Sequence, residues 1–296
     1  RQKRELYDAG IHIPLLIRPP LNRPVSKINH QLISFIDIPP TLLSLAHVKI
    51  PDYMHGMVFT GQNQGKPRKY IFATRDRMDK DYDMVRAVRD KGYKYFKNYI
   101  PDKPYIQPVE YRENLAMMRE LKKLFAEGQL NDNQAQWFRK NKPPEELYDI
   151  RHDPHELNNL AYKTDYSDVV KKFRTVLNKW QSEYGDKGFI DEKDMIQAFW
   201  NGNNIPPQTN EVRFRIVDNN QLKLYSKTNG ASISYRFVNK TDTGRWQIYD
   251  DYIRLSGEVV IQAKAERIGF LPSKVSKYSF KKPEISHNSK TYGLKN

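Results

Sequence analysis

Residues 3–17 read Lys3-Arg4-Glu5-Leu6-Tyr7-Asp8-Ala9-Gly10-Ile11-His12-Ile13-Pro14-Leu15-Leu16-Ile17, a charged lead that runs into an apolar stretch. Ile11 to Ile17 read as a buried strand, with Pro14 at an edge or irregular position. Arg18-Pro19-Pro20 breaks it. From Asn29 to Val48 the apolar residues fall at roughly helical spacing, interrupted by Pro39-Pro40, and a helix is expected over Thr41 to Ala46. Strands are expected at Tyr70–Thr74, Met84–Arg89 and Tyr93–Tyr99, the last two joined by the tight turn Asp90-Lys91-Gly92. Glu146 to Ile150 joins them in a small antiparallel sheet. Helices are expected at about 111–127, 131–138 and 167–184. In the last of these, Val169, Val170, Phe173, Val176, Leu177 and Trp180 mark one apolar face.

Ile205-Pro206-Pro207-Gln208 has the composition of a linker. Beyond it the pattern becomes short alternating strands, at 211–217, 232–238, 246–249 and 259–265, which predicts a small β-sandwich. The polar, Lys-rich residues 281–296 read as a loose tail. The expected architecture is therefore α/β over 1–65, an antiparallel-sheet subdomain with helices over 66–205, and an all-β sandwich over 206–280.

Composition narrows the class. Of 296 residues 38% are hydrophobic, and 19 Tyr, 13 Phe and 4 Trp supply a core, so global disorder is excluded. No apolar run is long enough to cross a bilayer. The absence of cysteine excludes disulfides and thiolate metal sites. The formal net charge is +15, and residues 206–296 hold 16 Lys and Arg against 8 Asp and Glu. Such a surface attracts polyanions; sulfated polysaccharide and nucleic acid fit the charge equally, and so does a solvated basic face. The first residue is Arg, inside a segment that reads as structured, so the chain is expected to begin within a larger protein.

Five motifs in order carry a family resemblance across residues 1–161. Lys3-x-x-x-Tyr7-Asp8-x-Gly10-x-x-x-Pro14 is similar to the segment of formylglycine-dependent sulfatases that leads from the active-site lysine into a core strand. Ser34-Phe35-Ile36-Asp37-Ile38-Pro39-Pro40-Thr41-Leu42-Leu43 resembles that family's helix start, and Ile50-Pro51 to Gly56 the loop after it. Arg75-Asp76-Arg77-Met78-Asp79, Val85 to Arg89 and Tyr93-Lys94-Tyr95 resemble the C-terminal subdomain. Glu146-Leu147-Tyr148-Asp149, followed by Asp153-Pro154-x-Glu156-x-x-Asn159-Leu160-Ala161, completes the series. The segment from Gly230 to Phe270 resembles the β-sandwich of hexosaminidase/chitobiase type appended to many secreted glycan-degrading enzymes.

The resemblance implies a parent that cleaves sulfate esters or N-sulfate of a sulfated glycan, is periplasmic or secreted, and uses formylglycine and calcium. It implies that Lys3 contacts the sulfate; as a point charge with three donors it suits an anion on which charge builds. The formylglycine precursor is a Cys/Ser-x-Pro-x-Arg motif, and none is present. The family's metal-ligating carboxylates lie upstream of the lysine. No catalytic or metal-ligating residue is therefore expected here, and the isolated chain is expected to be inactive without the N-terminal half of the protein. Loss of the rest of the core sheet is expected to expose the apolar face around residues 11–17.

Three further residues are candidates for substrate binding. His12 could line the pocket or be a satisfied core residue. Arg75 and Arg77 could hold a carboxylate or second sulfate bidentately, or form a structural ion-pair group with Asp76 and Asp79. Asp153 and Glu156 read as a turn followed by the first turn of a short helix. Tyr93 to Lys97 read as a strand, and no specific nucleic-acid site is expected. Trp246 or Tyr249 could stack on a sugar or fill the sandwich core. The second functional reading is a binding protein that docks on acidic polysaccharide through the basic sandwich.

Overall fold

The computed structural model describes residues 4–18, 28–78, 80–218, 220–239 and 243–281. It divides into two units, Arg1–Phe189 and Ile190–Asn296. The first unit contains helices α1 (Asp8–Ile11) and α2 (Ile38–Leu45), then strands β1 (Ile71–Arg75), β2 (Val85–Arg89) and β3 (Tyr93–Asn98). After these come α3 (Glu110–Glu113), α4 (Ala116–Ala126), α5 (Asp132–Ala135), β4 (Glu145–Asp149) and α6 (Ser167–Tyr184).

The four strands form an antiparallel sheet in the order β1-β2-β3-β4. Asp90 Oδ1 closes the β2–β3 turn by accepting from the Gly92 and Tyr93 N–H groups. Both faces of the sheet are covered, and strand alternation divides the residues between them. On one face Val88, Tyr95 and Leu147 meet Val170, Phe173 and Leu177 of α6. These three helix residues are spaced three and four apart, so they share one side of a 3.6-residue period. Phe72 stacks on Trp180 with ring centroids 4.7 Å apart. Each such side chain stabilises the fold by roughly 1.5–3 kcal/mol when fully buried. Gly185 ends α6 with φ 63°, a left-handed cap that other residues adopt at a cost. On the opposite face Val85, Ala87, Phe96 and Tyr148 pack against Leu6, Tyr7 and Tyr105.

Two expectations are corrected. The strand read at 11–17 does not form: residues 12–18 have no regular structure, and Leu16 is 94% exposed. An apolar strand needs neighbours for its N–H and C=O groups, and among the described residues none pairs with this run. The apolar exposure expected there is present. The helix expected over 111–127 is broken into α3 and α4 at Leu115, whose backbone is extended (φ −73°, ψ 133°). The Asn114 side-chain amide donates to the Glu110 carbonyl, a local alternative to the helical ladder.

The motif Ser34 to Thr41 forms a 3₁₀ turn (Phe35–Asp37) running into α2, with Pro39 and Pro40 in its first turn. Asp37 organises it. Its buried carboxylate accepts from the Ser34 and Met57 N–H groups at 2.9 and 2.8 Å and from Arg68 Nε at 2.7 Å. Burial pushes this carboxyl up, but Arg68 and the two backbone donors outweigh it and hold the group below its ordinary range. Gly56 lets the following loop close: a Cβ there would lie 1.9 Å from the Ile36 carbonyl oxygen. Asp37→Ala leaves these donors unmatched. It is expected to destabilise this region by about 2–3 kcal/mol and to accelerate hydrogen exchange at the Ser34 and Met57 amides selectively.

The second unit contains α7 (Glu192–Phe199) and strands β5 (Arg213–Asp218), β6 (Gln221–Tyr225), β7 (Ser232–Val238), β8 (Gln247–Ile248), β9 (Ile253–Arg254), β10 (Val259–Glu266) and β11 (Ser276–Phe280). They pair as an antiparallel sheet β11-β10-β7-β8 and a second sheet β5-β6-β9. Leu222, Leu224 and Ile253 from one sheet and Ile261, Ala263 and Ala265 from the other share a buried cluster. The units divide at Ile190, ahead of the proline-rich 205–208 stretch. Phe199 packs edge-on to Phe270, and Trp200 Nε1 donates to the Gly269 carbonyl at 2.9 Å, which ties α7 to the strands after it. The tail at 281–296 lies outside the described residues apart from Lys281.

Candidate functional site

Lys3 lies outside the described residues, but the segment that follows it is fixed in detail. Glu5, Leu6 and Tyr7 are 4%, 7% and 3% exposed, against the sheet face opposite α6. That face carries a problem of its own. Arg89 and Lys94 stand directly opposite one another in the β2–β3 register, a like-charge pair that would repel. Asp8 resolves it. Its Oδ1 accepts from Lys94 Nζ at 2.8 Å and its Oδ2 from Arg89 Nη1 at 2.7 Å.

Glu156 reaches the same point from the loop after β4. It accepts from the Asp8 N–H at 2.6 Å and lies 3.1 Å from Lys94 Nζ. Burial raises the Glu156 carboxyl above its ordinary range, and Lys94 pulls against that rise. Its backbone sits at φ 54°, a left-handed position rare for such a side chain, and no helix follows it, contrary to expectation. The turn itself forms as read: Asp153 Oδ2 accepts from the Leu157 and Asn158 N–H groups at 2.8 and 2.7 Å.

Three more carboxylates, Glu146, Glu5 and Asp83, lock the surrounding residues. Tyr7 and Tyr148 hydroxyls both donate to Glu146 Oε2 at 2.6 Å, while Asn98 Nδ2 donates to Oε1 at 2.6 Å. Glu5 meets Arg75 Nη1 at 3.2 Å. The same nitrogen donates to Asp83 Oδ2 at 3.0 Å, and Lys142 Nζ donates to Asp83 Oδ1 at 2.6 Å. Burial raises the Glu5 carboxyl, with Arg75 opposing; burial lowers the Lys142 ammonium, with Asp83 opposing. Three anchors in four residues therefore define where the chain stands as it leaves Arg4, whose guanidinium lies 5.0 Å over the Tyr111 ring.

The candidates from the sequence separate in space. Arg75 is 6% exposed and engaged with Glu5 and Asp83, so its ion pairs run to residues other than Asp76. Asp76 instead grips Arg86. Arg77 is partly exposed, with its guanidinium 4.9 Å over the Tyr82 ring. His12 follows α1 with an exposed side chain, its Nδ1 3.8 Å from Asp8 Oδ2. It is not in a strand or a core. Asp79 lies outside the described residues. Sequence reading missed Glu5, Asp83, Lys94, Lys142 and Glu146. Lys94 and Glu146 carried a usable signal: each is a charged residue in an apolar strand two positions before a buried aromatic, Phe96 or Tyr148, and a charge on that face requires a buried partner.

Among the described residues, no three His, Asp or Glu side chains converge as metal ligands. No helix among them is long and apolar enough to cross a membrane.

The sequence is similar to those of known proteins. Residues 1–104 match the family model described as N-sulphoglucosamine sulphohydrolase, C-terminal. An ulvan-active sulfatase of Formosa agariphila is 42% identical over 282 residues, 94% of this chain and 47% of that protein. An N-acetylglucosamine-6-O-sulfatase of Bacteroides thetaiotaomicron is 23% identical over 197 residues, 66% of this chain and 29% of the relative. A solved structure of a protein in complex with its substrate D-glucosamine-2-N,6-O-disulfate shares 18% identity at a TM-score of 0.33, covering 51% of this chain and 24% of that one. The chain spans about half or less of the length of these curated relatives. It carries a C-terminal sulfatase domain and is homologous to sulfatases.

Proposed function

We propose that this chain is the C-terminal portion of a sulfatase that hydrolyses sulfate groups of a sulfated glycan, and that Lys3 is its contact with the sulfate. The observation that carries the reading is the triple anchoring of Glu5, Tyr7 and Asp8. A lysine that must face an anion as charge builds on it gains from a fixed attachment, because a donor already in place needs no reorganisation during the reaction. Arg75, Glu5, Asp83 and Lys142 act here as positioning residues. His12, exposed at the end of α1, and Arg77 are the remaining candidates to touch substrate.

In this reading formylglycine supplies the nucleophile and calcium a counter-charge. The residues present do not fit either group: the chain has no cysteine, and no acidic cluster forms among the described residues. In this reading both belong to a part of the protein outside this chain. The parent is periplasmic or secreted, and the second unit is a β-sandwich accessory domain of the hexosaminidase/chitobiase type.

The test uses the full-length protein, assayed for sulfate release from a sulfated glycan and an aryl sulfate. Lys3→Ala is expected to lower kcat/KM on the order of 100-fold, with the melting temperature unchanged. The isolated 296-residue chain is expected to give no turnover above a buffer blank. Full activity in Lys3→Ala, or turnover by the isolated chain, would refute the proposal.

A further inference from the structure

The second unit carries a surface that the sulfatase reading does not use. In the sheet β11-β10-β7-β8, Ile261, Ala263 and Ala265 of β10 point into the core, so Gln262 and Lys264 point outward. The strand register sets Lys277 of β11 and Arg236 of β7 on either side of Gln262. It pairs Ser234 with Ile248 and Tyr235 with Gln247, so Trp246 follows opposite Arg236. The outward face therefore bears one row, Lys277–Gln262–Arg236–Trp246, across β11, β10 and β7 to the residue just before β8.

The row is held in order before any ligand arrives. Gln262 Oε1 accepts from Arg236 Nε and Nη2 at 2.9 and 2.7 Å. The Arg236 guanidinium lies 4.6 Å from the Trp246 ring centroid, and Lys264 Nζ lies 5.2 Å from it. Trp246 is 36% exposed, and Ile248 beside it 81%. Glu266 lies on this face and pairs with Lys264 at 2.6 Å, while Glu258 just before β10 pairs with Lys281 at 3.1 Å. Arg236 has five N–H donors, of which Gln262 takes two.

From this arrangement we infer that the outward face of β11-β10-β7-β8 is a binding platform for an anionic polysaccharide, with Trp246 as the stacking surface and Arg236, Lys264 and Lys277 as the anion contacts. The chemistry follows from the row. A sugar ring offers an apolar C–H face to an aromatic side chain, and its sulfates or carboxylates fit guanidinium and ammonium donors. At about 4.8 Å per strand the row is roughly 14 Å long, which suits an extended chain rather than a single ion. A fixed guanidinium beside an exposed indole also loses little freedom on binding. The inference concerns a surface remote in sequence from Lys3 and stands or falls separately from the sulfatase reading.

The test measures binding of the 296-residue chain to heparin, dextran sulfate, neutral dextran and single-stranded DNA, by affinity electrophoresis and calorimetry at 150 mM salt. Trp246→Ala and Arg236→Gln are each expected to weaken heparin and dextran sulfate binding roughly tenfold. Lys179→Gln, which removes an exposed cation on α6, is expected to change it less than twofold. Circular dichroism checks that the variants stay folded, and Lys277→Gln offers a milder second variant on the same row. Selective loss with no dextran binding supports the platform. The inference is overturned if the wild-type chain does not bind, if Lys179→Gln weakens binding as much as Arg236→Gln, or if dextran or DNA binds as tightly as heparin.

Discussion

Lys94→Met is expected to destabilise the first unit by about 3–5 kcal/mol at neutral pH, read from urea unfolding followed by tryptophan fluorescence. Lys94 is 1% exposed and touches two carboxylates, Asp8 at 2.8 Å and Glu156 at 3.1 Å. Methionine keeps the length and removes the charge. Asp8 retains Arg89, so the loss falls mainly on Glu156, whose carboxyl burial already raises. The pH dependence has a definite sign. A carboxyl whose folded pKa exceeds its unfolded value penalises the folded state when ionised. That penalty appears as pH rises through the unfolded value, about 4.3, and is full only above the folded one. Removing Lys94 raises the folded value further. The defect should therefore shrink toward pH 4 and grow toward pH 8. Glu156→Gln, by the same logic, should cost far less than Lys94→Met, and adding it to Lys94→Met should restore part of the stability. Equal losses from the two single variants would show that Lys94 contributes through packing rather than charge.

The sheet was legible in the sequence, and the reasons are local. β2 and β3 announce themselves because Asp90-Lys91-Gly92 is a turn that little else explains, and α6 because its apolar residues keep helical spacing over eighteen positions. The residues 11–17 misled for the opposite reason. Their composition is that of a strand, but a strand is a property of its neighbours, and composition does not say whether neighbours are there. The networks around Glu5, Asp8 and Glu146 were hidden because each joins groups far apart in the chain: Tyr7 and Glu146 stand 139 residues apart, Asp8 and Glu156 148. No pattern of period 2 or 3.6 reports such a contact. The Arg75-Asp76-Arg77-Asp79 run shows the same limit. Adjacent opposite charges suggested a local ion-pair group, yet Arg75, which ends β1, and Asp76, which opens the loop after it, turn to partners on opposite faces of the sheet.

That division of faces leads to the second large effect. Arg86 faces α6 and is 1% exposed. It joins three parts of the first unit: its own strand, the loop after β1 through Asp76, and the loop after α6 through Asp186. Its Nη1 and Nη2 lie 2.6 and 3.1 Å from the Asp76 oxygens, and Nε and Nη2 lie 2.7 and 2.6 Å from those of Asp186. Burial works against the Arg86 charge, but these carboxylates prevail and its pKa rises. Burial likewise pushes the Asp186 carboxyl up; Arg86, the Gln181 amide and the Gly188 N–H outweigh it and bring it to about 2. Arg86→Met should cost about 3–5 kcal/mol, because two partly buried carboxylates lose their common partner. Arg86→Lys should recover only a fraction, since one ammonium cannot form two parallel pairs at once. A depressed carboxyl contributes stability that is present above its unfolded value of 3.8 and is lost as pH falls toward 2. Wild type should accordingly lose stability between pH 4 and 2 through this site, whereas Arg86→Met, already without the contribution, should show a flatter profile there. Parallel acid profiles for the two proteins would mean that Asp186 owes its ionisation to Gln181 and Gly188 instead of Arg86.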